Sequence, residues 1–269
     1  MTENQYRKQW LRWHSQYEQI AYKELVAGFR DLGNSIPFFA MNEDNYDMIL
    51  DSTFDTNQFF DIYYNIYNQI GVIHGTRVGK QINRQLKEFT LNGFLSLFER
   101  DLLTWLFDNA VTRVVTVRQT YLEYLRQLIA FGYAEGKTIS EISTDIKRQV
   151  NQRGFYRWQA LRIARTETTA AANHAAMVST SSSGVLTQKV WISATDARTR
   201  RPPKSEFNHL KMNGVRVAKN EYFDVPFEGD FEKIMFPGDP KASAGNVINC
   251  RCSIALVPKR DSEGRILKE

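Results

Sequence analysis

The sequence predicts an α+β fold: long helices over residues 1–180, a small β-rich domain over 185–260 and a mobile tail over 261–269. Three observations predict it. Apolar residues recur at spacings of three and four through most of the first 178 residues, which places them on one face of a helix. The polar tract Ser179-Thr180-Ser181-Ser182-Ser183-Gly184 then interrupts that pattern. Beyond it the apolar segments are short and punctuated by Asn213-Gly214 and Pro237-Gly238, pairs suited to tight turns.

Taken in order, residues 4–32 read as an amphipathic helix carrying Trp10, Trp13, Tyr17, Ile20, Leu25, Phe29 and Leu32 on one side. Gly33-Asn34-Ser35 and Pro37 stop it. Trp10 and Trp13 suit either a docking surface for a partner or packing against the next helix. The acidic residues 38–55 suggest a loop with one short helical turn. A second helix starts at Thr56 or Asn57 and runs to about Lys87, with Phe59, Phe60, Tyr63, Ile66, Tyr67, Ile70 and Ile73 as its buried face. Gly71, Gly75 and Gly79 recur every fourth residue there, a pattern that lets two helix backbones cross closely. His74 beside them reads as a packed or surface residue.

Helices are expected next over 94–109 and 111–133, the second opening on the β-branched run Val111-Thr-Arg-Val-Val-Thr-Val117. Glu135-Gly136-Lys137 turns the chain, and Thr138-Ile-Ser-Glu141 has the form of a capping box for a helix to about Val150. Gly154 separates it from a helix over about 155–178. That helix carries Arg162, Arg165 and Glu167, then small residues whose run implies close packing. Arg162 and Arg165 are suited to a buried bridge with Asp196 or to an exposed charged face. In the last third, strands are expected over Thr187–Ser193, Val215–Ala218 and Asn249–Val257. Asn213-Gly214 would join Lys211-Met212 and Val215-Arg216-Val217 as a hairpin.

Composition narrows the function. Of 269 residues, 42% are hydrophobic and 24% charged, the balance of a globular chain rather than a disordered one. No apolar run approaches the roughly 18 residues of a membrane helix, and the polar N-terminus lacks a signal-peptide core, so a soluble protein made in a cytoplasm is expected. Residues 151–269 hold 19 Lys and Arg against 12 Asp and Glu, while residues 1–150 hold 16 against 18. The basic half favours a polyanionic neighbour such as DNA, or is simply a solvated surface.

The chemistry concentrates between Trp191 and Cys252. Cys250 and Cys252 would share one side of a strand, and with His209, and Asp196 as a further ligand, they form a candidate zinc set. A nucleophilic cysteine lacks a recognisable oxyanion hole or signature. Asp196, Glu206, Glu221 and Asp239 could supply paired carboxylates for hydrolysis. Phosphate-loop, dinucleotide and H-E-x-x-H patterns are missing from the sequence, which speaks against ATP-, NAD- or thermolysin-like enzymes. Arg198, Arg200, Arg201 and Lys204 around Pro202-Pro203 could grip phosphates without reading sequence, with Arg201 and Lys204 as the exposed contacts. Alternatively Asp196, Arg198 and Arg200 lock the small domain together.

The order Arg165-Thr166-Glu167-Thr168, Asn173, Trp191, Asp196-x-Arg198-x-Arg200, His209, Asn213-Gly214, Pro237-Gly238-Asp239-Pro240 and Asn249-Cys250-Arg251-Cys252 resembles the phage head morphogenesis family typified by the Mu F and SPP1-type minor head proteins. The resemblance covers roughly residues 155–257. One departure is the insertion of Arg201–Asn208 before His209, where the family carries its histidine soon after the second arginine. The resemblance implies a bacteriophage minor capsid protein of the virion, present in few copies around the portal vertex or capsid interior and in the host cytoplasm before assembly. Its implied partners are the portal protein, the major capsid protein and double-stranded DNA bound without sequence specificity; no membrane and no catalysis are implied. Arg165, Glu167, Trp191, Asp196, Arg198, Arg200, His209, Cys250 and Cys252 would then form a structural cluster, with zinc the one cofactor to consider. The competing reading is a metal-assisted hydrolase, a nuclease or cell-wall enzyme, acting during assembly or entry.

Overall fold

Among the described residues, six α-helices precede the first strand. A computed structural model describes residues 2–86, 90–151 and 156–268. The helices are α1 (Glu3–Asn34), α2 (Tyr46–Thr53), α3 (Thr56–Leu86), α4 (Leu91–Ala134), α5 (Ile139–Asn151) and α6 (Tyr156–Ser181). They are followed by β1 (Thr187–Ile192), β2 (Arg216–Ala218), β3 (Phe223–Phe227), β4 (Asp230–Ile234), the short helix α7 (Ala244–Val247) and β5 (Ser253–Pro258). The architecture is α+β, as the sequence predicts. Among the described residues no helix is long and apolar enough to cross a membrane.

Local chemistry accounts for the helix ends. Thr2 and Gln5 cap α1 reciprocally, each side chain binding the other's backbone N–H. The expected box at α5 also forms: Thr138 N–H donates to Glu141 Oε2 at 2.8 Å and Glu141 N–H to Thr138 Oγ1 at 3.4 Å. The helices expected over 94–109 and 111–133 are instead one continuous helix, α4. Nothing breaks it at Asn109-Ala110, because Ala110 and Val114 are fully buried and continue the apolar stripe of Phe94, Phe98, Leu102 and Leu106. The region expected as a loop, 38–55, is half helical, with a 3-10 turn at Phe38–Ala40 ahead of α2. The end of α3 near Lys87 and the break at Gly154 lie outside the described residues.

The glycine line on α3 marks a close crossing. A Cβ on Gly71 would lie 2.1 Å from Cζ of Phe98, and one on Gly75 2.2 Å from Cζ of Phe94. Both rings belong to α4, so the two glycines are the slots that admit its phenylalanines. On another side of Gly75, Ser179 Oγ donates to the Gly75 carbonyl at 2.8 Å, tying α6 to α3. Trp10 is fully buried and Trp13 half-buried, and both rings pack edge-on against buried His74 at 5.5 and 5.8 Å. Of the two readings for these tryptophans, packing is the one the structure shows.

The strands form a three-stranded antiparallel sheet in the order β2-β1-β5 and a separate β3-β4 hairpin. Side-chain alternation makes β1 the shared wall of two cores. Val190 and Ile192 join the helical core, whereas Trp191 joins a second cluster with Phe207, Met212, Phe223, Val225, Ile234, Phe236, Cys250, Cys252 and Ile254. The expected hairpin between Lys211-Met212 and Val215-Arg216-Val217 does not form. Asn213-Gly214 is a turn, but Met212 is drawn into the core and β2 pairs with β1. The hairpin that does form turns at Glu228-Gly229, both with positive φ (40° and 88°), as a two-residue loop requires. Within residues 261–269, Leu267 O accepts from Leu186 N–H at 3.0 Å and Leu267 N–H donates to Lys259 O at 2.9 Å.

Candidate functional site

The cluster builds outward from α6, whose Arg165, Thr166, Thr169 and Asn173 reach into the last third of the chain. Arg165 donates to Glu18 on α1 at 2.6 and 3.1 Å and to Asn249 Oδ1 at 3.1 Å. Thr166 Oγ1 accepts from Asn249 N–H at 3.0 Å, and Thr169 Oγ1 donates to the Cys250 carbonyl. Asn173, fully buried, donates to Pro237 O at 2.8 Å and accepts from Ile254 N–H and Ser253 Oγ at 3.0 Å each. Small alanines between these residues let the Pro237–Pro240 turn lie on the helix; a Cβ on Gly238 would stand 2.9 Å from the Ala170 backbone nitrogen. Helix α1 adds Trp10 Nε1–H to Arg251 O at 2.8 Å and Tyr6 O–H to Ile254 O at 2.9 Å.

Glu167 is turned toward α3 and α4 instead. Its carboxylate accepts from Tyr67 O–H at 2.7 Å and pairs with Arg113 of α4 at 3.3 Å, buried on both sides. Arg113 also donates to Gly238 O and Asp239 O at 3.2 and 3.0 Å. Asp196 in turn pairs at 2.5 Å with Arg251, not with Arg162 or Arg165. Its Oδ1 accepts from Arg198 N–H at 3.0 Å, so the Asp196–Arg198 segment is a self-capped turn. Arg251 and the Arg198 N–H hold the Asp196 carboxyl below its usual range against the opposing effect of desolvation. Arg162 lies over the Trp158 ring at 4.8 Å.

His209, Cys250 and Cys252 converge, as the spacing suggested, by a different route. Both cysteines lie between α7 and β5, after Asn249, whose φ is +60°. Their sulfurs lie 3.5 and 3.7 Å from His209 Nδ1, and the three ligand atoms lie within 4.8 Å of one another, all buried. Asp196 is outside this group. Cys250 is pushed below the usual thiol range, chiefly by hydrogen bonding with Cys252 and aided by His209. Cys252 is pushed above it by the same contact and by burial. On the far side of the imidazole, Nε2 contacts Asn246 Oδ1 at 2.6 Å, and Asn246 Nδ2 donates to Glu232 Oε2 at 2.8 Å. Glu232 also accepts from Ser243 N–H and Oγ, at 2.7 and 2.9 Å. Asn246 and Glu232 carry no motif spacing that would have revealed them; Arg251 was visible only as the residue between the cysteines.

The basic residues also assemble. Arg165, Arg198, Arg200, Lys204 and Arg251 line one shallow depression with Gly245, Ile248 and Asn249. Arg165 and Arg251 are neutralised by Glu18 and Asp196. Arg200 donates to the Gly245 and Ile248 carbonyls, which fixes it without cancelling its charge. Among the described residues no carboxylate pairs with Arg198, Arg200 or Lys204. Arg201 is outside the lining. The carboxylates considered for hydrolysis do not assemble: Asp239 is spent on its own turn, accepting from Met235 and Lys241 N–H, and Glu221 caps Ala218 N–H.

Comparison with known proteins agrees with this construction. Residues 123–255 match the family described as "Phage Mu protein F like protein". The chain is also 26% identical over 155 residues to the "Uncharacterized protein YqbB" of Bacillus subtilis (strain 168), a match that covers 58% of this chain and 48% of that one. The chain thus spans about half the length of that relative. No solved structure matches. From the end of α4 into β5, including α6, the histidine and both cysteines, residues 123–255 are thus similar to the phage Mu protein F-like family, a likeness that points to a protein of phage head morphogenesis.

Proposed function

We propose that this chain is a minor head protein of a bacteriophage virion, held in few copies at the portal vertex or inner capsid wall and touching packaged DNA through its basic depression. The observation that carries the DNA contact is the grouping of Arg198, Arg200 and Lys204 on one exposed rim without acidic partners. Fixed guanidinium and ammonium groups on a shallow surface bind phosphates by charge and release counterions, with no need of base contacts. Protein contact is supported by α4, where Leu103, Phe107 and Val111, four residues apart, remain 46%, 53% and 39% exposed. An apolar stripe of that kind suits a helix-to-helix contact with the portal protein or the major capsid protein.

Two measurements test this reading. Quantitative mass spectrometry of purified particles should give a fixed, low copy number per portal; absence from particles would remove the virion assignment. DNA binding should weaken with salt and show no sequence preference. The variant Arg198→Ala with Lys204→Ala should lower the slope of log K against log salt by about 2, since each phosphate contact contributes about 0.9. An unchanged slope would take the depression out of the DNA contact.

A further inference from the structure

We propose that His209, Cys250 and Cys252 bind a zinc ion that ties the loop before β2 to the chain entering β5. This inference concerns the internal architecture of the protein and stands independently of the portal and DNA reading.

Three observations converge on it. First, the ligand spacing suits the ion. Tetrahedral zinc holds sulfur at about 2.3 Å and imidazole nitrogen at about 2.0–2.1 Å, which separates the two ligand atoms by roughly 3.5 Å. The observed Sγ to Nδ1 distances are 3.5 and 3.7 Å. Second, the imidazole is set in the tautomer a metal needs. The Glu232 carboxylate can only accept, so Asn246 turns its amide nitrogen toward it and presents Oδ1 to His209. His209 Nε2 must therefore carry the proton, which leaves the Nδ1 lone pair facing both sulfurs. An outer carboxylate relay of this kind orients metal-bound histidines and raises their basicity. Third, Trp191 is fully buried, its indole Nε1–H has no hydrogen-bond partner, and the ring lies edge-on to His209 at 5.3 Å. The indole shares one buried cluster with both cysteines. A sulfur made anionic by zinc supplies the acceptor that this donor otherwise lacks.

Zinc fits better than the harder cations because two of the three ligands are thiolates. Binding replaces two S–H protons by two Zn–S bonds, so up to two protons are released per ion. No further His, Cys, Asp or Glu of the described residues joins the group, and a solvent molecule or other small ligand takes the fourth position. Burial of all three ligands makes the ion a cross-link.

The test uses the full chain, made without a histidine tag and kept reduced. Elemental analysis should find one zinc per chain. After chelation, titration with Co2+ should produce a sulfur-to-cobalt charge-transfer band that saturates at one equivalent. His209→Ala, and Cys250→Ser with Cys252→Ser, should abolish both signals. Since those variants remove buried groups, Asn246→Ala serves as the milder probe. It keeps all three ligands and should weaken zinc affinity by about 10–100-fold in chelator competition, as loss of a histidine-orienting contact does. Failure of the reduced wild-type chain to give the cobalt band would overturn the proposal. So would stoichiometric copper in place of zinc, or undiminished zinc in the double cysteine variant.

Discussion

Replacing Arg113 by methionine tests whether α4, α6 and the Pro237–Pro240 turn are held by one buried ion pair. The side chains of Arg113 and Glu167 are 14% and 3% exposed, and the guanidinium serves three acceptors: the carboxylate and the Gly238 and Asp239 carbonyls. Methionine fills a similar length without any donor. It leaves Glu167 buried with only the Tyr67 hydroxyl as partner and takes the guanidinium donor from the Gly238 carbonyl, while the Asp239 carbonyl keeps Ala242 N–H at 3.1 Å. Removing one member of a buried pair costs about 3–5 kcal/mol. The partial exposure of Arg113 favours the lower part of that range. For a chain of this length, about 2 °C of Tm is lost per kcal/mol, so Arg113→Met should lower Tm by roughly 6–9 °C. The assay is thermal unfolding followed by circular dichroism, with Glu167→Gln and the double variant alongside. Because the charge left behind causes much of the loss, the double variant should be less damaged than the sum of the singles, with about 1–3 kcal/mol of coupling. A single-variant shift below about 2 °C, or additive singles, would refute the claim that this pair joins the three elements.

The same reasoning yields three smaller predictions. Asp196→Asn should cost no more than about 1 kcal/mol in chemical denaturation, because its carboxylate is 38% exposed and a screened pair contributes little; a loss above 3 kcal/mol would show it buried in solution. Gly75→Ala should destabilise by about 1–3 kcal/mol, since the new methyl would meet the Phe94 ring, and Phe94→Leu in the same chain should recover part of the loss; equal melting of wild type and Gly75→Ala would mean the helices part freely. Stability should also fall in mild acid. His14, His74 and His174 are each pushed down to about 3, first by burial, with Arg251 and Arg165 adding to it at His14 and Arg77 at His74. These folded-state values lie below the unfolded value of about 6.5. Their contribution is therefore complete above about pH 6.5 and is lost as pH falls toward 3, at up to about 1.4 kcal/mol per pH unit for each imidazole. The contact between His14 and Glu18 at 3.7 Å is accordingly not an ion pair near neutrality. Tm measured from pH 7 to pH 4.5 should drop, and His174→Phe, which preserves stacking on Trp105, should flatten the drop; an unchanged profile would remove His174 from it.

Much of this fold was legible because helices announce themselves locally. The apolar stripes of α1 and α3, the capping box of α5 and the glycine slots each depend on residues three or four apart. The boundary at Asn109 was misplaced because β-branched residues 111–117 lower helix propensity, and burial of Ala110 and Val114 overrides propensity where a neighbour covers the face. Strand pairing was harder. Asn213-Gly214 is a strong local turn signal, yet β2 finds its partner more than twenty residues back in β1, a choice set by where Met212 and Trp191 are buried. The true hairpin hid behind Pro226 and a Glu-Gly turn. For the site, the convergence of His209 with both cysteines was legible from residue type. Asp196 was assigned the wrong arginine, because Arg162, Arg165 and Arg251 are equivalent as charges and only the fold separates them.

That separation explains why the site depends on helices remote from it in sequence. Cys250 and Cys252 are not held by the sheet, since β5 begins after them. Their backbone is gripped from α6 by Thr169 at the Cys250 carbonyl and by Asn173 at Ser253 and Ile254, and from α1 by Trp10 at the Arg251 carbonyl. Each grip is a hydrogen bond to a backbone group of the segment, and leaving such a group unsatisfied in the interior costs about 1–3 kcal/mol. Helix α6 is held by α3 through Ser179 and by α4 through Glu167 and Arg113. The C-x-C segment is thus positioned at the end of a chain of contacts running through the helical region. Substitutions on α6 that touch neither cysteine, such as Asn173→Ala, should displace both thiols relative to His209. Damage to the cluster is transmitted by position along that helix.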